Sequence, residues 1–123
     1  MGENRDYIVY SEEKGTINIS EDVAAVVAAN AALDTEGVAS LATSLSKDIA
    51  EFLGKKSVSK GVKITIEENS LKADIYIMVD LGYSVNKVAT SVQEAVSTAV
   101  ESTLGIPASA VNVHVCGIAL DKE

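Results

Sequence analysis

Aromatic side chains and cysteine are scarce in this chain, and this limits the kinds of core and of covalent cross-link that it can form. There is no tryptophan, one phenylalanine and four tyrosines among the 123 residues. A core made mainly from valine, alanine and isoleucine has to be packed from small pieces, so we expect helices that lie close to their neighbours. The single cysteine, Cys116, excludes an internal disulfide and is typical of a reducing compartment.

Positive charge and long apolar runs are also scarce. Ten Lys and Arg stand against 18 Asp and Glu, which gives a formal net charge of −8. This field repels nucleic-acid phosphates and anionic lipids, so it argues against non-specific binding to either. The strongly apolar run from Val23 to Ala29 is far shorter than the roughly 20 residues that cross a bilayer, and the first residues contain no signal-peptide core. We expect a soluble cytoplasmic chain without a transmembrane segment.

The length of the chain suits one domain, because two separate cores would leave too little buried surface in each. We predict a flexible N-terminal lead-in over 1–14, a single domain over 15–119 and a short C-terminal tail over 120–123.

The first predicted elements are a strand over 16–19 and a helix over 21–33. Ser20 offers an N-cap oxygen, and the acidic residues after it suit the positive end of the helix dipole. The helix is rich in alanine, which lets it approach a sheet closely. Residues at helical spacing predict an apolar stripe of Val23, Val26, Val27 and Ala31.

The middle of the chain predicts a short strand over 38–43, a short amphipathic helix over 45–53 and a polar loop over 55–61. Two alternating runs then predict a β-hairpin over 62–66 and 71–79. A longer helix follows to about residue 103, with Ser84 as its cap, and a last strand covers 111–118. The apolar stripe of that helix contains Val85, Val88, Val92, Ala95, Val96, Ala99 and Val100.

Two helical stripes and several one-sided strands predict an α+β two-layer sandwich. We expect a mixed sheet of four to five strands with two main helices on one face, in the order β-α-β-(short α)-β-β-α-β. The other face of the sheet would be mildly apolar and open to a partner. Its members, by alternation, are Lys63, Thr65, Glu67, Lys72, Asp74, Tyr76, Met78, Asn112, His114 and Cys116.

Catalytic chemistry finds little support in the residue pattern. A Cys–His nucleophile pair is conceivable for Cys116 and His114, but side chains two apart on one strand diverge and no second base orients the imidazole. One His and one Cys are too few ligands for zinc. We therefore expect no enzyme activity, no metal and no cofactor.

Lysines cluster between Lys47 and Lys63, which leaves an alternative open. This region could bind nucleic acid or another anionic ligand, although the net charge disfavours it. We otherwise expect it to contact an acidic protein partner together with the open sheet face. The candidate partner-binding residues are Lys55, Lys56, Lys60, Lys63, Lys72, Tyr76, Met78, Asn112 and His114.

Several segments together resemble the alkaline shock protein family of Gram-positive bacteria. They are GTINIS at 15–20, IAEFLGKK at 49–56, SKGVK at 59–63, LGYSV at 81–85, VQEAV at 92–96 and VNVHV at 111–115. The likeness covers about residues 8–119, and its specificity lies in the order and spacing of the segments. Leu81 departs from it, because relatives often have an aromatic residue there, and long charged C-terminal tails of some relatives are absent.

The resemblance implies a non-enzymatic cytoplasmic protein of envelope stress and cell-envelope homeostasis. Some members of the family assemble into larger structures and are held at the membrane by a small anchoring protein. We therefore expect a homo-oligomer that acts as a scaffold and docks on a protein partner. The family has no established catalytic residues to carry over.

Overall fold

The computed structural model describes residues 7–42 and 61–120, and the chain in these ranges forms eight regular elements. Strands β1 and β2 make an antiparallel two-stranded sheet, and the other four described strands make a mixed sheet. The predicted α+β class is confirmed. The elements are β1 (Tyr7–Glu12), β2 (Gly15–Ser20), α1 (Glu21–Leu33), β3 (Val38–Leu41), β4 (Val62–Ile66), β5 (Leu71–Asp80), α2 (Val85–Leu104) and β6 (Ala108–Ala119).

Strand β5 is the centre of the four-stranded sheet, because it pairs along both edges. On one edge its first half is antiparallel to β4 and its second half to β3, while β6 runs parallel along the other edge. The change from β4 to β3 falls at Tyr76. The Tyr76 N–H donates to the Gly61 carbonyl oxygen at 2.9 Å, and its own carbonyl oxygen accepts from the Ala42 N–H at 2.8 Å. Strands β3 and β4 therefore act as one interrupted neighbour of β5.

The core lies between one face of β5 and the two helices. Every second residue of β5 is fully buried on this face, as the alternation predicts. Both helices cover the same face, and they also contact each other. The buried residues of β5 are Leu71, Ala73, Ile75, Ile77 and Val79.

Helix α2 follows its prediction closely. The Ser84 Oγ accepts a hydrogen bond from the Lys87 N–H at 3.4 Å, which caps the first turn. The helix ends at Gly105, whose left-handed φ of 82° suits glycine. Val85 in the predicted stripe is 39% exposed, because it precedes the first turn that reaches the core. The stripe residues Val88, Val92, Val96 and Val100 are buried.

Helix α1 turns Val23 and Val26 outward, which corrects part of the predicted stripe, whereas Val27 and Ala31 are half-buried and pack against the core. Val23 and Val26 are 46% and 52% exposed. The helix is apolar all round, so periodicity could not select a face. The bulky side chains of β5 and α2 already fill the core, and alanine lets the helix axis approach it closely. The buried residues are Ala24, Ala25, Ala28 and Ala32.

Strand β1 lies inside the segment for which a flexible lead-in was predicted. Ile8 is 4% exposed within the core, and Tyr10 and Ile19 pack against the core from the same face of the hairpin. A six-residue strand with only two inward side chains gives a weak pattern alone, and its pairing with β2 decides it. The predicted first strand consequently pairs with β1 and lies outside the four-stranded sheet.

Other predictions fall partly outside the described residues. The short helix predicted over 45–53 lies there, as does the polar loop over 55–61 except for Gly61. Strand β6 begins at Ala108, earlier than the predicted 111–118. Its first residues are small and carry little β propensity, but Ala108 and Ala110 pair with Leu71 and Lys72 at the start of β5.

Gly37→Ala should destabilise the protein more than Gly82→Ala. Both glycines have positive φ, 95° and 103°, so the two substitutions introduce similar backbone strain. A Cβ at Gly37 would lie 2.5 Å from Val88 Cγ2, whereas nothing lies within 4 Å at Gly82. Urea unfolding should show an extra loss of about 1–3 kcal/mol for Gly37→Ala. Equal losses would contradict this packing.

The buried face of α1 can be tested with two enlargements. Ala28→Leu should lower the free energy of unfolding by about 1–3 kcal/mol, because Ala28 is 0% exposed and the core has no room for the added atoms. Val26→Leu adds a methylene on the exposed side and should change stability by less than about 0.5 kcal/mol. The reverse ranking in chemical denaturation would show that the valines face the core.

Candidate functional site

The face of the four-stranded sheet opposite the helices carries most of the predicted site, and we call it the open face. Residues paired in register share a face of a sheet, so the pairing of β4, β5 and β6 defines its members. Most of these side chains are half-buried or exposed, and Tyr76 is the exception at 9% exposure. The members are Lys63, Thr65, Lys72, Asp74, Tyr76, Met78, Asn112 and His114.

Asp74 organises the open face. Its Oδ1 atom accepts a hydrogen bond from Asn112 Nδ2 at 3.1 Å and lies 3.1 Å from His114 Nε2. Asn112 is the register partner of Asp74 on β6, and His114 is the next residue on the same face. The parallel pairing of β5 with β6 thus brings two donors, 38 and 40 residues away in the chain, to one carboxylate oxygen. The three side chains form an ordered polar cluster.

The ring of Tyr76 extends this cluster. It stacks on the His114 imidazole with ring centroids 4.4 Å apart and an angle of 13° between the planes. The pKa of Tyr76 is raised above its ordinary value, first by burial and then by the negative charges of Asp74 and Cys116. The imidazole of His114 therefore lies over the buried Tyr76 ring in an orientation that is held by the Asp74–His114 contact.

Cys116 lies in a β-bulge beside the cluster. The register moves from Ile77–Val115 to Met78–Gly117, so Cys116 is the extra residue on β6. Its free thiol is exposed, and its Sγ atom lies 3.8 Å from the backbone carbonyl oxygen of His114. Burial raises the pKa of the Cys116 thiol. At neutral pH the thiol therefore stays protonated, which makes it a poor nucleophile.

The described lysines of the open face lie beside carboxylates. Lys63 is the register partner of Asp74, on the side away from Asn112. Lys72 is near Glu67 in the β4–β5 turn. The Glu67 Oε1 atom accepts hydrogen bonds from Ser109 at 2.8 Å and Ser70 at 2.9 Å. Together with the charge of Lys72, these bonds lower the pKa of Glu67.

The structure thus unites part of the predicted set. Tyr76, Asn112 and His114 meet around Asp74, and Met78 lies one step along β5, where Gly117 leaves room for its side chain. Lys63 and Lys72 lie on the same face in neighbouring register positions. The other predicted residues, Lys55, Lys56 and Lys60, lie outside the described residues, so the nucleic-acid alternative for the Lys47–Lys63 region stays a prediction.

Three features were missed by the sequence reasoning. Asp74 was placed on the open face but not among the candidates, although a carboxylate in mid-strand between apolar neighbours is itself a signal. Glu67 joins the hairpin turn to β6 through Ser109, which no local pattern indicates. The third feature is an exposed apolar side of α1 formed by Val23, Val26 and Leu33. The sequence signal for it is that the helix is apolar all round.

A shallow groove of about 400 Å³ opens between α2 and the start of β6. Its lining is small and mostly polar. It includes Gln93, whose Nε2 donates a hydrogen bond to the Val111 carbonyl oxygen at 3.1 Å. In residues 7–42 and 61–120, no group of three His, Cys, Asp or Glu side chains could hold a metal ion. No helix in these ranges is long and apolar enough to span a bilayer.

The fold and the open face together define a small α+β domain with one covered and one exposed sheet face. Its sequence matches the model of the alkaline shock protein 23 family over residues 9–120, and that family is described by a cell envelope-related function. The chain belongs to this family, which confirms the resemblance seen in the sequence.

Individual relatives support the assignment. Spy1535 of Streptococcus pyogenes serotype M6 is 39% identical over 113 residues, which cover 91% of this chain and 85% of the relative. YloU of Bacillus subtilis is 35% identical over 106 residues, with coverages of 85% and 88%. YqhY of the same species is 32% identical over 109 residues, with coverages of 89% and 81%.

Solved structures show the same chain fold at much lower identity. A histidine-to-alanine variant of MamM-CTD superposes with a TM-score of 0.50 at 18% identity, covering 79% of this chain and 96% of that one. A copper form of another MamM CTD variant has a TM-score of 0.50 at 16% identity and covers 79% of this chain. These likenesses establish the arrangement of strands and helices alone.

Asp74→Asn should lower the pKa of Tyr76 toward its ordinary value of 10.0, because it removes a negative charge that raises this pKa. Burial remains, so the pKa should stay above the ordinary value. Because the pKa of Tyr76 is higher in the folded than in the unfolded state, this residue contributes stability below pH 10, and the contribution is lost as the pH rises further. The variant has a smaller pKa shift, so it should lose less stability over this range. An NMR titration of the Tyr76 ring measures the shift. Asp80→Asn, on the same face but not a cause of the shift, is the control; equal shifts in both variants would refute the assignment.

Proposed function

We propose that this protein is a non-enzymatic scaffold of cell-envelope homeostasis. It acts by associating with itself and by docking on a protein partner, such as a small membrane anchor that would hold a cytoplasmic chain at the membrane surface. The family's cell envelope-related function gives the setting. The chemistry of the open face gives the mode of action.

The observation that carries the proposal is the ordered cluster of Asp74, Asn112, His114 and Tyr76. Its contacts hold an aromatic pair and an amide in fixed positions on a surface that neither helix covers. Binding to a side chain that is already ordered costs less conformational entropy than binding to a free one. An exposed imidazole that is held on a tyrosine ring, with the Asn112 amide beside it, suits a protein partner, because aromatic side chains are enriched among the residues that contribute most to affinity.

The geometry around Cys116 supports a role without catalysis. A catalytic thiol needs a lowered pKa and a base that receives its proton, whereas burial raises the pKa of Cys116. The His114 imidazole is engaged with Asp74 and Tyr76, and the described contact of the Cys116 sulfur is with a backbone carbonyl oxygen. These side chains support a binding surface better than a reaction centre.

The docking function can be tested with His114→Ala in the cells that make the protein. Mild crosslinking followed by affinity purification should recover a partner with the native chain, and imaging should place the native chain at the membrane. His114→Ala removes the stacked ring and should reduce recovery of the partner about tenfold or more, the effect expected for a residue at the centre of an interface.

Thr90→Ala, an exposed change on α2 whose hydroxyl bonds only within its own helix, is the matched control. Thermal unfolding of both variants separates a binding defect from a folding defect. Undiminished recovery of the partner with a folded His114→Ala chain would reject the open face as the docking surface. A native chain that recovers no partner would reject docking altogether.

A further inference from the structure

Strand β6 has a free edge in the described part of the chain. It spans 12 residues and pairs with β5 along one side, and no other described strand pairs with it. Free strand edges present rows of unpaired backbone N–H and C=O groups that can accept another strand. The chemistry of this edge indicates which strand it accepts.

Two independent contacts show which residues of β6 face outward. The Val111 carbonyl oxygen accepts from the Gln93 side chain, so it points away from β5. The Tyr76 N–H and C=O groups bond to Gly61 and Ala42, on the edge of β5 away from β6. Successive residues of a strand direct their backbone groups to opposite edges, so Ile75 and its odd-numbered neighbours are the residues of β5 that bond to β6. Parallel pairing then turns the even-numbered residues of β6 inward. The backbone groups of Val111, Val113 and Val115 point out.

Between its two bulges, this edge lacks the charged side chains and the proline that often block pairing. From Ile106 to Leu120 the chain contains no Asp, Glu, Lys or Arg, although charged residues make up 23% of the whole. No proline lies within β6. The bulges lie at Ser109 and Cys116, and the six residues between them keep a regular register. The segment 110–115 is therefore a regular edge without Asp, Glu, Lys, Arg or proline.

The segment 110–115 is also complementary to itself. In an antiparallel pairing about Val113, Val111 would lie opposite Val115 of the partner subunit in a hydrogen-bonded pair, and Val113 opposite its own copy. The side chains on the helix side would then all be valines. On the open face Asn112 would lie opposite His114 of the partner subunit, which makes a polar pair without like charges. The Gln93 contact does not exclude this, because a carbonyl oxygen has two lone pairs.

From this geometry we infer that a second copy of this chain adds to the sheet along β6, antiparallel about a two-fold axis at Val113. The inference rests on the self-association in the proposed function and assigns it a surface. Each copy carries a formal charge of −8, so two chains repel each other over most of their surfaces. This repulsion is weakest at an edge without Asp, Glu, Lys or Arg, and backbone hydrogen bonds between the two copies of β6 would offset it there. The pairing would join the two open faces into one continuous surface.

A register-specific crosslink is the direct test. Two variants of the full chain are prepared, Asn112→Cys and His114→Cys, each with Cys116→Ser to remove the native thiol. In the proposed register, residue 112 of one copy lies opposite residue 114 of the other, within the Cα separation of about 4.4–6.8 Å that a disulfide needs. Mild oxidation should give a covalent dimer in the mixture and little in either variant alone. Equal crosslinking in the separate variants would overturn the register.

A charge placed on the edge gives a second readout. Val113→Lys should weaken dimerisation about tenfold or more in light scattering and sedimentation, because the two-fold axis would place the two added charges directly opposite each other. Val9→Lys, the same change at an exposed position of β1, should leave the dimer intact. If the native chain is a dimer and Val113→Lys does not weaken it, the β6 interface is wrong while self-association stands. A strictly monomeric native chain would overturn both.

Discussion

The structure depends on β5, which is the one strand within residues 7–42 and 61–120 that pairs along both edges and uses both faces. Its odd-numbered side chains form the floor of the core, and its even-numbered side chains, with Asp74 and Tyr76 at their centre, form the open face. Because side chains alternate strictly along a strand, a change of register by one residue would exchange the two sets and destroy both. Core and candidate site are therefore fixed by the same pairing, and neither can be rebuilt without the other.

The parallel strand β6 completes the polar cluster on the open face. Strand β6 brings Asn112 and His114 onto Asp74 and places the imidazole over the Tyr76 ring. No described strand pairs with the other edge of this strand, which contains no Asp, Glu, Lys or Arg. One element thus completes the cluster proposed for docking and supplies the edge proposed for self-association. A dimer formed along β6 would double the open face, so the two halves of the proposed scaffold function would reinforce each other.

The small-residue composition has its clearest consequence in α1. Alanines on the core side let this helix approach the sheet and α2 closely, and Val23 and Val26 remain outside on a half-exposed surface. An apolar side of α1, an uncharged edge of β6 and an ordered polar cluster are features of a protein whose surface binds others, which is consistent with membership of a cell envelope-related family.

Local patterns alone determined both main helices, the β4–β5 hairpin and the side chains that share the open face, because helix caps and strand alternation are properties of a few neighbouring residues. Only the tertiary structure decided what depends on distant partners. A helix apolar all round could not indicate that Ala28 rather than Val26 is buried, and Ile8 gave too short a pattern for β1 without its pairing to β2. Likewise the sequence placed His114 and Asp74 on one face, but only the register between β5 and β6 brought them within 3.1 Å of each other.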